Sequence, residues 1–242
     1  MSCKQEDSGK IEKETVELTA QTIVDSTIQL HGGDLYANSV KKFDFRGKTY
    51  IGSHEKGSYT LERMYSDSTG SYSAIVSSLG LHRFKDEALI KTPDSMVNRY
   101  SNSVNSVHYF AYLPYALNDK AVNKKLLGKE SIKGKDYHKI EVTFEQDGGG
   151  DDFEDTYVYW INTETFTMDY LAYLYHTGKG GIRFREAYNP RTVNGIRFLD
   201  YNNYKPKDIS VRVHNTGKLF GKGELELLSK IELENISVEL LD

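Results

Sequence analysis

Arg183 and Arg185 stand two residues apart in the segment Gly181-Ile-Arg-Phe-Arg-Glu186. Strand side chains alternate in direction, so Ile182 and Phe184 face one way and both guanidiniums the other. Such planar, permanently charged forks suit a carboxylate or phosphate headgroup. The bland alternative is pairing with Glu186, Asp169 or Asp200. Those three carboxylates are also the only set offered for a hydrolase acting on lipid or glycan, which would need two of them in one cleft. Other reactive types point nowhere definite. Seven histidines are scattered without an i, i+4 pair, so no zinc-ligand spacing exists. No phosphate loop, HExxH, GxSxG or GxGxxG signature occurs. Asp147-Gly-Gly-Gly-Asp-Asp152 offers hard oxygen ligands, but its spacing departs from a Ca²⁺-binding EF-hand loop. It reads better as a solvated hairpin tip. Neither metal nor cofactor is expected.

Composition narrows the class. Net charge is −4, without the Lys/Arg excess of a nucleic-acid surface. No apolar run approaches the roughly 18 residues of a membrane span. Aromatics make up 12%, including 18 Tyr, and tyrosine's apolar body and polar tip suit sheet faces and cavity rims.

Elements that would position these residues can be read from periodicity. Thr156–Tyr175 holds two strand-like runs around the polar break Asn162-Thr-Glu-Thr165. Both faces of this hairpin are apolar: Val158 and Trp160 oppose Tyr157, Tyr159 and Ile161. It belongs mid-sheet, with a core on one side and helices, a partner or a ligand on the other. Trp160, Tyr170, Tyr173, Tyr175 and His176, with Arg183 and Arg185, are therefore the candidate ligand-binding residues. An amphipathic helix is predicted from about Thr15 to Leu30, stopped by Gly32-Gly33. A second starts at Thr92 as N-cap with Pro93 at its first position, and Ala116–Leu127 reads as a shorter third piece. Short strands with turn punctuation fill 36–84, and strands dominate from 138 onward, including 209–214, 219–228 and 230–240. The fold class is α+β, mainly β: ten or eleven antiparallel strands, too many to stay flat. They form a strongly curved sheet, an incomplete barrel, with helices packed in its concave side.

The chain opens Met1-Ser2-Cys3-Lys4-Gln-Glu-Asp-Ser-Gly9. A small residue, a lone cysteine and a charged tether resemble the mature end of a bacterial lipoprotein after removal of its signal peptide. Residues 1–13 are read as that tether, Cys3 as the lipid attachment, and 14–242 as one domain. Further on, the chain resembles the lipoprotein-sorting carrier superfamily (LolA/LolB-like half-barrels), and within it an uncharacterised lipoprotein family of Bacteroidota. The residues that carry the resemblance are Ile28-Gln-Leu-His-Gly-Gly33, Ser103–Ala111 with Leu113-Pro-Tyr115, Gly134-Lys-Asp-Tyr137, Tyr159-Trp-Ile161, Met168–Tyr173, Arg183–Asn189 and Gly195-Ile-Arg-Phe198. The resemblance implies an open barrel whose concave, helix-lidded face holds acyl chains. The resulting expectation is a non-enzymatic cell-envelope lipoprotein, anchored to the outer membrane by its N-terminal lipid alone. It would bind a lipid or other hydrophobic ligand, with docking of an envelope protein as the alternative.

Overall fold

Helix α1 (Ala20–Leu30) starts where Thr19 and Thr22 cap each other, each side-chain oxygen accepting the other's backbone N–H. This reciprocal cap satisfies donors that a helix start leaves unpaired. The helix begins later than Thr15, and its apolar stripe, Ala20, Ile23 and Val24, is buried. The computed structural model describes residues 18–147, 153–208 and 210–241. Cys3, the tether and residues 148–152 of the acidic loop lie outside the described residues.

Strands β1 (Ser39–Phe45), β2 (Lys48–Glu55), β3 (Ser58–Asp67), β4 (Gly70–Ser77), β5 (Gly80–Lys85) and β6 (Ala88–Leu89) form an antiparallel meander. Its first two turns, Arg46-Gly47 and Lys56-Gly57, have positive φ at both central residues, the turn geometry that matches strand twist. A second meander contains β7 (Val122–Ile132), β8 (Lys135–Phe144), β9 (Thr156–Asn162), β10 (Met168–Tyr175), β11 (Gly181–Val193), β12 (Ile196–Pro206) and β13 (Leu225–Ile231). The last strand, β14 (Glu234–Leu240), returns to pair with β1. Each sheet thus has seven strands, and β13 runs through Glu232-Leu233 into β14, joining them along one side. The free edges, β6 and β7, are not paired. The result is the open, mainly β half-barrel expected.

Fourteen strands are found among the described residues, more than the ten or eleven counted from periodicity. The predicted helical piece at 116–127 is instead a 3₁₀ turn (Tyr115–Asn118) followed by β7. Where strands were expected over 209–214 and 219–228, the chain makes a 3₁₀ turn (Val213–Asn215), a short helix (Thr216–Gly221) and then β13. Helix α2 (Asp94–Ala111) starts one residue later than the Thr92 cap suggests, with Pro93 in the cap place. Helix α3 (Thr216–Gly221) has only six residues, far below the roughly 12–15 that an isolated helix needs. Periodicity cannot reveal a helix that short. Its tertiary docking sustains it: Phe220 is buried against Phe184, Tyr170 and Tyr204, a contribution of about 1.5–3 kcal/mol.

The hairpin β9–β10 lies in mid-sheet, and its two apolar faces have separate covers. Tyr157, Tyr159, Ile161 and Leu171 face the concave side with Ile140, Val142, Leu199 and Tyr201, under α1 and Leu113 and Leu117. Val158, Trp160, Tyr170 and Ala172 face outward with Ile182 and Phe184, under Val213 and Phe220. The first sheet packs Phe43, Tyr50, Ala74 and Val76 against Val104, Ala111 and Tyr112.

Asp200 pins the junction of the sheets. It is 1% exposed and accepts from both Arg191 guanidinium ends at 2.7 and 2.6 Å, from Asn189 at 2.7 Å and from the Leu233 backbone at 2.9 Å. Asp200→Ala takes the acceptor from the Leu233 N–H and from the half-buried Arg191, so a loss of about 1–3 kcal/mol is expected. The urea midpoint checks it, and a shift worth under about 0.5 kcal/mol, the usual size for surface substitutions, would contradict it.

Candidate functional site

Helix α2 connects β6 to β7, the two free edges, so the chain has to carry it across the open side of the half-barrel. It is seated on the first sheet. Val104 packs against Ala74, Val76, Leu61 and Leu81. Arg63 donates to the Ser103 carbonyl and hydroxyl at 3.3 and 2.8 Å, and the His108 ring meets the Glu62 carbonyl at 3.0 Å. Toward the second sheet it extends Tyr109, whose hydroxyl lies 3.0 Å from that of Tyr159, and Phe110, 5.3 Å from the Tyr173 ring.

Space is left on both flanks of α2. On one flank a cavity of about 300 Å³ lies between Val107, Phe110 and Ala111 of the helix and Tyr173, Arg185, Leu199, Tyr201 and Asn203 of the concave sheet. On the other, a recess of about 510 Å³ is walled by aromatic and imidazole rings, among them His54, Tyr109, Tyr112 and Tyr115. Burial holds His54 and His108 down at about 4. Behind the recess, fully buried Lys41 points its ammonium at the Tyr36 carbonyl and the Ser39 hydroxyl, and burial lowers it to about 7.

The predicted residues separate by face. Arg185 and Tyr173 meet at the cavity, where Arg185 Nη2 donates to the Tyr173 hydroxyl at 3.0 Å. Arg183 and Tyr175 share the concave face farther along: the Arg183 guanidinium lies 5.1 Å from the Tyr175 ring and donates to the Ile182 carbonyl. Trp160 and Tyr170 belong to the outer cluster beneath α3. His176 is exposed after β10, its backbone N–H bonded to Asp155. Phe110, Tyr201 and Asn203 also line the cavity, and no local pattern marks them: Phe110 reaches it from a helix crossing the open side, and the other two through the β11–β12 register.

The carboxylate set is already engaged. Asp200 is the structural hub described above. Asp169 accepts from Tyr137, and Glu186 accepts from Lys133, Asn202 and Tyr204, although the two share a recess of about 340 Å³. Among the described residues no group of three His, Cys, Asp or Glu side chains could hold a metal ion, and no helix is long and apolar enough to cross a membrane.

With this geometry the chain is similar to several solved structures. A LolA superfamily protein from Nitrosomonas europaea is 12% identical, with 93% of this chain and 94% of that one covered and a TM-score of 0.50. An outer membrane lipoprotein-sorting protein domain from Vibrio parahaemolyticus is 9% identical over 84% and 98%, with a TM-score of 0.43. A DUF1329 family protein from Desulfovibrio piger is 12% identical over 90% and 92%, with a TM-score of 0.42. At such identities the likeness concerns the fold, which is that of the LolA superfamily. No curated protein matches the sequence. One family does match, over residues 53–233, which take in most of both sheets, all of α2 and every wall of the cavity from Ser106 to Leu233. This chain therefore belongs to the Family of unknown function (DUF6503).

Proposed function

We propose that this protein is a non-enzymatic binding protein of the cell envelope, tethered to the outer membrane through a lipid on Cys3. Its ligand is a lipid or another amphiphile, held between the concave second sheet and α2. The observation that carries this reading is the cavity beside Phe110 and Tyr173. Its walls are mainly apolar, and it keeps one buried cation, Arg185, for a polar head. Pockets of this kind, apolar with a few placed polar groups, are the usual form of small-molecule sites. Tyr173 stacks on Tyr157 at 5.3 Å and borders the space directly, so it is a better handle than Trp160.

Native mass spectrometry and solvent extraction of the purified protein are expected to recover a bound lipid. Tyr173→Glu places a charge in the apolar wall and is expected to empty the site while the fold persists. Protein that yields no lipid, before and after incubation with envelope extract, would refute the reading. A second reading, docking of another envelope protein, draws on the exposed Leu79 and Leu89 near the free edge of the first sheet. A stoichiometric partner in a pull-down, with no extractable lipid, would decide for it.

A further inference from the structure

The cavity beside α2 contains a charge that the fold does not answer. Arg185 is 7% exposed, and a guanidinium cannot be discharged in a protein. Its Nη2 donates to Tyr173, and its guanidinium carbon lies 3.6 Å from the Phe110 ring centroid. Nε and Nη1 are buried without a hydrogen-bond partner. Among the described residues Arg185 makes no ion pair. No Asp or Glu lines the cavity, whereas a second arginine, Arg46, does.

Two more polar atoms in the same wall are unanswered: the Tyr201 hydroxyl and Asn203 Oδ1. Tyr201 has its ring 6.0 Å from the guanidinium carbon, and Asn203 is the direct cross-strand neighbour of Arg185. The Asn203 amide now donates to the Ser229 hydroxyl at 3.3 Å. Turned over, it would accept from Ser229 and present its N–H₂ to the cavity, the kind of exchange that amide assignment leaves to the hydrogen-bond network. Donors from three side chains, one of them a cation, then line the same wall of the cavity. Beyond them the walls are Val107, Ala111, Leu199, Ile231 and Leu233.

Shape and charge narrow what fits. The space runs between α2 on one side and the concave sheet on the other, which suits one alkyl chain lying along the helix. The one buried guanidinium balances a single negative charge, Arg46 being exposed at the cavity's edge, whereas a phosphate monoester carries about −1.5 to −2. The geometry points to a single-chain carboxylate of the fatty-acid class, its head on Arg185, Tyr201 and Asn203 and its tail along α2. This narrows the amphiphile-binding reading above and rests on it.

Calorimetric titration with decanoate and decyltrimethylammonium below their micelle concentrations, and with decan-1-ol below its solubility limit, tests it. Decanoate is expected to bind in equimolar ratio and more tightly than decanol by about tenfold or more, the scale of a charge-assisted contact. The ammonium ion should not bind. Arg185→Met should erase the preference for decanoate, Arg185→Lys should keep part of it, and Arg183→Gln should leave it intact. Should Arg185→Met fail to fold, the wild-type comparison of the three head groups and the Arg185→Lys variant still decide. Equal binding of decanoate and decanol would overturn the carboxylate assignment and leave the amphiphile reading standing. Failure of all three probes, with a diacyl lipid recovered by extraction, would overturn the single-chain assignment alone. Failure of all three with no lipid recovered would overturn both.

Discussion

Trp160→Ala is expected to lower the unfolding free energy by about 3–5 kcal/mol, the usual range for removing a fully buried large aromatic. The indole is 0% exposed and sits between Phe184, 5.6 Å away, and the backbone of α3. A Cβ on Gly217 would lie 2.9 Å from the indole ring and 2.5 Å from a Glu130 carboxylate oxygen, so the helix rests directly on the tryptophan. A single substitution there removes the platform of α3, and Phe220 loses its seat as well. The companion variant Gly217→Val keeps the tryptophan and pushes the helix off. Because Trp160 is the only tryptophan in the chain, its fluorescence should shift to the red as the indole meets water. Urea denaturation of Trp160→Ala and emission spectra of Gly217→Val give the two readouts. An unshifted emission maximum, with stability within about 0.5 kcal/mol of wild type, would show that α3 is not docked as described. Since Trp160 faces away from the cavity, any folded Trp160 variant should still bind its ligand.

Stability should also climb with pH over an unusually wide range. His31 and His108 are buried and held at about 4, in both cases chiefly by desolvation. The unfolded chain titrates its histidines near 6.5. Between pH 6.5 and 4 the unfolded state therefore binds protons that the folded state refuses, and stability falls as pH falls. Each histidine accounts for about 1.4 kcal/mol per pH unit, so together they remove roughly 4 kcal/mol by pH 5. Lys41 acts on the alkaline side. Burial brings it to about 7, so above pH 7 the folded state has released a proton that the unfolded chain keeps to about 10.4. Stability should then rise from pH 7 toward 10. Above that, the buried tyrosines oppose the rise, because desolvation pushes Tyr159 and Tyr201 far above their ordinary value and the unfolded chain ionises first. Urea midpoints at pH 5, 7 and 9 test both arms. Lys41→Met should flatten the alkaline arm, and His31→Gln should reduce the acid one. A midpoint that is constant from pH 5 to 9 would contradict the lowered proton affinity of all three buried groups.

Much of this architecture is legible in the residue pattern. The two-faced apolarity of Thr156–Tyr175 placed the hairpin in mid-sheet, and mid-sheet is where β9 and β10 lie. Alternation of Ile182 and Phe184 with Arg183 and Arg185 placed the two arginines opposite the apolar pair, as found. Alternation could not say which face was concave. Short elements escaped for a related reason: α3 spans less than two full turns, and its stability comes from Phe220 and Gly217, not from a repeating stripe.

The composition of the cavity escaped because of register. Counting back from the Asn194-Gly195 turn places Arg185 opposite Tyr204, on the outer side. An irregularity between Tyr188 and Arg191 shifts the pairing by one residue, so that Asn203 stands opposite instead. A one-residue slip exchanges the two faces of a strand, and only that slip puts Tyr201 and Asn203 beside the guanidinium. The local pattern of apolar and charged residues is a property of each strand, and it was enough to specify a curved, mainly β half-barrel with helices on its concave side, although it suggested one sheet of ten or eleven strands where the chain forms two of seven. The meeting of Arg185, Tyr201, Asn203 and Phe110 depends on a bulge and on a helix crossing from the far sheet, contacts between residues distant in the chain that no strand's own periodicity encodes.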